Sequence, residues 1–87
     1  DVIRREVIRH IRTFFNVEFD YFDKKYPYKF KEYFEKELKN LKNMEEDGLL
    51  IINNENIVIT PLGEHFSPQI ANVFDVYNDQ EFYNRAL

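Results

Sequence analysis

The chain has 87 residues, no cysteine, and 12 basic against 16 acidic side chains, for a formal charge of −4. One domain of this size is stable by about 4–13 kcal/mol, at roughly 0.05–0.15 kcal/mol per residue. The missing cysteine excludes disulfides, thiol nucleophiles and thiolate metal ligands; no apolar run reaches membrane-span length and no signal peptide appears; the acidic balance opposes nucleic-acid binding, which depends on neutralising phosphates.

Nine Phe and six Tyr are many for this length. They predict a core filled with rings, the alternative being that some rings cover an interface with a further domain. A sequence starting Asp-Val-Ile-Arg-Arg reads as a piece of a longer cytoplasmic protein. Charge is unevenly spread. Residues 1–16 carry four Arg against Asp1 and Glu6, whereas residues 18–47 carry seven Lys against nine acids. Residues 48–87 hold Arg85 against five acids.

The first element is a helix over residues 2–15. Ile3, Val7, Ile8, Ile11, Phe14 and Phe15 recur at helical spacing on one side, with Arg5, Arg9 and Arg12 on the other. Arg4 falls within the apolar stripe, so it must snorkel, meet a carboxylate or face a partner. Residues 17–25 predict a brief helix capped by Asn16 and stopped by Pro27.

A long helix is expected over residues 29–47, with Phe30, Tyr33, Phe34, Leu38, Leu41 and Met44 inward. Lys29, Lys31, Lys36, Lys39 and Lys42 mix with Glu32 and Glu35 on the solvated side. Glu37 breaks the pattern by projecting between Phe30 and Met44. An unpaired carboxylate there is costly. Each on the wrong face of its own helix, Arg4 and Glu37 are expected to pair across the interface as a structural contact.

Gly48 ends this helix in the left-handed position that glycine takes cheaply, letting Leu49 fold back on Met44. Glu45-Glu46-Asp47 sit at the negative end of the helix dipole, a placement unfavourable by about 0.3–1 kcal/mol per charge. Strands over 49–53 and 56–60 follow, joined by Asn53-Asn54-Glu55-Asn56, residues that tolerate positive φ. Thr60 and Pro61 then stand as N-cap and first residue of a helix over 61–77. Gly63 lies on its inner side, where a missing side chain permits close approach to the strands. The stripe Leu62, Phe66, Ile70, Val73, Phe74, Tyr77 keeps one phase across Pro68, favouring one kinked helix over a fresh helix capped by Ser67. Residues 78–87 form a polar tail. The fold class is mainly α with a small β-hairpin, winged-helix-like.

No catalytic, cofactor-binding or metal-binding residue is identified. His10 and His65 lack further ligands at metal spacing and read as surface histidines. Ser67 is the sole serine, without a nucleophile elbow. Gly48 and Gly63 are the only glycines, too few for a phosphate loop.

Arg4, Arg5, Val7 and Ile8, then Phe30, Tyr33, Phe34, Glu37, Leu38 and Leu41, then Asp47, Gly48, Leu49, Thr60, Gly63, Ile70, Phe74 and Asp75, follow a recognisable order and spacing. Over Asp1 to about Tyr77 the chain resembles the C-terminal domain of oxygen-independent coproporphyrinogen III oxidase, a radical S-adenosylmethionine family of haem biosynthesis. The resemblance implies a parent enzyme that oxidatively decarboxylates two propionates of coproporphyrinogen III. It implies that the parent's 4Fe-4S cluster and S-adenosylmethionine sit in an N-terminal barrel of the same polypeptide, with no cofactor in this segment. The segment itself would cover the substrate cleft and pack on the barrel, with Arg5, Phe74 and Asp75 at the domain interface. Departures from the family pattern fall at Arg12-Thr13-Phe14, Glu64 and Pro68-Gln69, and point to a divergent relative as the other form of this reading. Two other classes are a winged-helix DNA-binding module using the five lysines of residues 29–42, and a protein-interaction module using exposed rings. The interspersed glutamates and a hairpin turn without Lys or Arg weigh against DNA.

Overall fold

The computed structural model describes residues 2–75. Helix α1 (Val2–Phe14) leads into strand β1 (Asn16–Glu18) and helix α2 (Phe19–Lys25). Helices α3 (Phe30–Tyr33), α4 (Glu35–Asn40) and α5 (Lys42–Glu46) follow. Strands β2 (Leu50–Ile52) and β3 (Asn56–Ile59) form a hairpin, and α6 (Pro61–Glu64) and α7 (Ser67–Asn72) complete the described chain.

The sheet has three strands, not the two expected, in the order β1-β3-β2 with antiparallel pairing throughout. Asn16 does not cap a helix; it opens β1 opposite Val58. What makes the strand is the residue before it. Phe15 adopts φ 55° and ends α1 one residue early. Its carbonyl then accepts the amide of Ile59, which sets the register. A bulky residue in the left-handed region costs energy, and here the sheet bond and half-buried ring offset it.

The expected helix over 29–47 is present as three segments. Backbone geometry leaves the helical region at Phe34 (φ −109°, ψ 29°) and loosens at Leu41 (φ −77°, ψ −11°). Both side chains are fully buried. Bonds from Leu38 N to Phe34 O and from Glu45 N to Leu41 O still carry the chain onward. The backbone yields where the side chains are most firmly seated. Asp23 Oδ1 starts α3 by accepting the Phe30 amide at 2.8 Å.

Residues 61–75 form two short helices rather than one kinked helix. The chain turns at His65 and Phe66, and Pro68 sits in the first turn of α7, where its missing N–H is harmless. The break rotates the buried face. Gly63, Ser67, Ile70, Ala71 and Phe74 are inside, while Leu62 and Phe66 are 52% and 40% exposed. Residues 76 and 77 of the expected helix, and the tail 78–87, lie outside the described residues.

The core is a file of phenylalanine rings between α1, the helices of residues 30–46 and α7. Phe19 stacks on Phe30 at 4.8 Å, Phe30 meets Phe34 at 4.7 Å, and Phe34 meets Phe74 edge-on at 5.2 Å. Ring pairs at such distances add about 0.5–1.5 kcal/mol beyond area burial. Ile3, Val7 and Ile11 of α1 and Leu50, Ile57 and Ile59 of the hairpin close the core, whereas Phe14 is 56% exposed rather than inside. Among the described residues no helix is long and apolar enough to cross a membrane.

Candidate functional site

Two carboxylates stand inside the domain, each made tolerable by a different set of donors. The first is Glu37 on α4. Arg4 Nη1 donates to Glu37 Oε2 at 2.7 Å and to the Phe74 carbonyl at 3.4 Å. Its guanidinium lies 5.1 Å from the Phe34 ring centroid. The contact expected from the two misplaced charges is therefore present. Glu37 is nearly buried, and Arg4 lies along the apolar face with a fifth of its side chain exposed. One arginine thus ties α1, α4 and the end of α7 together.

The second is Glu6 on α1, which the sequence reading did not single out. It is 8% exposed. Tyr21 Oη donates to its Oε2 at 2.5 Å, Tyr26 Oη donates to its Oε1, and Lys25 Nζ reaches Oε2 at 3.0 Å. Arg9 Nη2 stands 3.4 Å from the same oxygen and His10 Nε2 3.7 Å. Burial pushes the Glu6 pKa up, but the bonds from Tyr21, Tyr26 and Lys25 together with the Lys25 charge outweigh it and hold the group at about 2. The bond to Glu6 is the main cause that raises the Tyr26 pKa, with burial adding to it. Glu6 is thus a fixed anion, saturated by neighbours from α2.

His10 belongs to this cluster and is not the surface histidine expected. Its ring packs on Phe14, Tyr21 and Phe22 at 5.0–5.1 Å. Burial lowers its pKa, the Arg9 charge adds to this, and Glu6 only partly restores it. The net effect favours the neutral ring.

The turn chemistry is local. Gly48 has φ +82°; its amide bonds to the Glu45 carbonyl and the Leu49 amide to the Met44 carbonyl, both at 3.0 Å. That is the double bond of a left-handed helix stop. Thr60 Oγ1 accepts the Gly63 amide at 3.1 Å and donates to the Gly48 carbonyl at 2.6 Å. One hydroxyl thereby joins the end of α5 to the start of α6, with Pro61 in the first turn. At Gly63 a Cβ would stand 1.8 Å from the Leu49 carbonyl oxygen.

The hairpin turn needs no positive φ, contrary to expectation: among the described residues only Phe15 and Gly48 have it. Asn53 Oδ1 instead accepts the amides of Glu55 and Asn56, both at 2.8 Å. Glu45, part of the acidic run at the end of α5, accepts the outward Ile52 amide at 2.8 Å. The unfavourable dipole placement is offset by capping a sheet edge.

Of the residues expected at a domain interface, Arg5 is exposed, Asp75 is half-buried and Phe74 is fully buried within this domain. Among the described residues no group of three or more His, Cys, Asp or Glu is placed to hold a metal ion. A groove of about 680 Å³ between α2, the start of α3 and the hairpin turn is lined by five acids and two lysines. Nothing in it pairs a nucleophile with a base.

Residues 1–65 match the family described as the HemN C-terminal domain. The oxygen-independent coproporphyrinogen III oxidase of Helicobacter pylori is 35% identical, the match covering 88% of this chain and 17% of that protein. The protein of the same name from Synechocystis is 35% identical over 100% of this chain and 20% of its own length. That of Escherichia coli is 31% identical over 93% of this chain and 18% of its own. This chain therefore spans about a fifth or less of each relative's length. No solved structure matches it.

Proposed function

The chain belongs to the HemN C-terminal domain family, and on that premise we propose that it is the covering and scaffold domain of an oxygen-independent coproporphyrinogen III oxidase or a divergent relative. The observation that carries this is the family match over residues 1–65 in a domain whose buried charges serve packing. Glu6 is saturated by donors and Glu37 is held by Arg4, so each carboxylate is tied into the packing of the domain.

The parent would hold its 4Fe-4S cluster and S-adenosylmethionine in a preceding barrel, act on coproporphyrinogen III and reside in the cytoplasm. The residues of this chain do not fit the cluster, because it has no cysteine to supply a thiolate. Its own contribution is mechanical. Arg4 couples α1, α4 and the end of α7, so the domain can pack or close as one block and exclude water from a neighbouring cleft. In this reading residues 1–77 are that block and 78–87 its tail. The element order, with β1 on the outer edge of the hairpin, supports a winged-helix-like description of it.

The reading is tested upstream of Asp1. A barrel-length segment with Cys-x3-Cys-x2-Cys is expected in the same reading frame. Anaerobic conversion of coproporphyrinogen III by the full parent should be lost when the chain is cut before Asp1, with the cluster retained. An upstream segment without those cysteines would remove the enzyme reading.

A further inference from the structure

Cations are segregated by type along this chain. Every cation of α1 is an arginine, and every cation in residues 15–75 is a lysine. The lysines share their surface with acids; Lys24 pairs with Asp20 at 2.8 Å, and Lys42 lies 3.7 Å from Glu45. Across residues 15–75 seven lysines face twelve acids. The exposed face of α1 is different. Arg5, Arg9 and Arg12 project from it at helical spacing, and the one acid of the helix, Glu6, is turned inward. Arg5 and Arg12 have no ion-pair partner among the described residues. Arg9 keeps only its long contact to Glu6 and lies 5.9 Å from the Phe14 ring centroid.

Two exposed rings flank these arginines. Phe14 and Tyr21, 56% and 40% exposed, both pack on His10. The two rings, His10, Asn16 and Glu18 line a shallow pocket of about 210 Å³. Arginine and aromatic residues are the types enriched in interface cores, and lysine is depleted there. The reason is physical. A guanidinium is weakly hydrated, stacks on rings and meets carboxylates in a two-point fork, so it loses less on leaving water than an ammonium does.

We propose that the Arg5-Arg9-Arg12 face of α1, with Phe14 and Tyr21 beside it, docks this domain on a carboxylate-bearing surface of the polypeptide that precedes it in the parent. The proposal rests on the reading that this chain is one domain of a larger protein. Charge complementarity selects the occupant: a positive face whose Arg5 and Arg12 have no ion-pair partner among the described residues, on a chain that is otherwise acidic, calls for an acidic counterpart. A second copy, a nucleic acid or an anionic membrane would be alternative occupants.

The test uses the 87-residue chain, the preceding segment produced separately, and the intact parent. Calorimetric titration of the two pieces should show binding that weakens between about 50 and about 300 mM salt. Arg5→Glu with Arg12→Glu should raise the Kd at least tenfold, and Arg5→Lys with Arg12→Lys by less. Thermal unfolding of the isolated double variants should stay within about 2 °C of the parent chain, because both positions are exposed. In the intact parent, phenylglyoxal should modify Arg5 and Arg12 at least tenfold more slowly than in the isolated chain. Binding untouched by charge reversal, with both arginines equally reactive in the parent, would overturn the docking face while leaving the domain reading intact. Absence of any association in trans, together with unchanged surface reactivity in the parent, would likewise overturn the docking face, whereas the domain reading falls only if the upstream segment lacks the cysteines. Loss on reversal only of self-association, duplex DNA binding or adhesion to phosphatidylglycerol vesicles would also overturn it.

Discussion

Arg4 and Glu37, 33 positions apart, meet at 2.7 Å across the interface of α1 and α4. Neither residue suits its own helix, and the contact explains both. The same guanidinium reaches the Phe74 carbonyl, so the last buried ring of the described chain is held by the first arginine.

Glu37→Ala should therefore destabilise the domain by about 2–4 kcal/mol, somewhat below a fully buried pair because Arg4 keeps partial contact with water. Arg4→Met should cost at least as much: its stem can still cover Phe34, but it strands the more deeply buried Glu37 carboxylate. The double variant Arg4→Met with Glu37→Leu should recover part of the loss, because no stranded charge remains. Urea unfolding of the four proteins in a double-mutant cycle measures the coupling. Additive costs would mean that the pair contributes nothing beyond its separate parts.

The two glycines should separate sharply. Gly63→Ala would place a methyl 1.8 Å from the Leu49 carbonyl oxygen, a backbone atom that cannot step aside without breaking the Thr60–Leu49 bond. A loss of about 3 kcal/mol or more is expected, or no folding. Gly48→Ala meets nothing within 4 Å and costs only the left-handed backbone, about 1–2 kcal/mol. Melting curves of the two variants would show the order. Equal costs would mean that α6 can move away from the hairpin.

Features set by adjacent residues were legible in the sequence. Gly48 and Thr60-Pro61 announce their caps within a few positions, and Arg4 and Glu37 stand out because each interrupts an apolar stripe. The remaining features depend on distant partners. Strand β1 alternates polar, apolar, polar but is only three residues long, too short to announce itself, and it exists because Phe15 reverses the chain and β3 is there to receive it. The breaks at Phe34 and Leu41 carry no proline, glycine or serine to mark them. Glu6 sits among arginines and reads as surface. Its only signal is on α2, where Tyr21, Lys25 and Tyr26 bring three polar tips to one side, a pattern that calls for a buried anion between them.

Thr60 should matter more than an ordinary cap. Thr60→Ala removes the acceptor for the Gly63 amide and the donor to the Gly48 carbonyl. A cap alone contributes about 1 kcal/mol, and the second bond adds about as much again. Thr60→Ser keeps both bonds and should cost under about 0.5 kcal/mol. Chemical denaturation of the two variants checks this. Equal losses would assign the effect to the threonine methyl and not to the hydroxyl.

Acid should weaken the domain in two stages. The His10 pKa is lowered in the fold, so the unfolded chain binds its proton first. Stability is full above the ordinary histidine value near 6.5 and falls as pH drops through the folded value. Glu6 follows. Its folded pKa of about 2 lies under its ordinary value of 4.5, so its contribution is complete above 4.5 and disappears on approach to 2. The full shift corresponds to up to about 3 kcal/mol. His10→Gln should remove the first stage and leave the second. Tyr26→Phe should shrink the second, because it takes one donor from Glu6 and lets burial push the carboxyl back up. Urea midpoints recorded from pH 8 to pH 3 would separate the two. A single acid transition that survives both substitutions would place the acid-sensitive charge elsewhere in the domain.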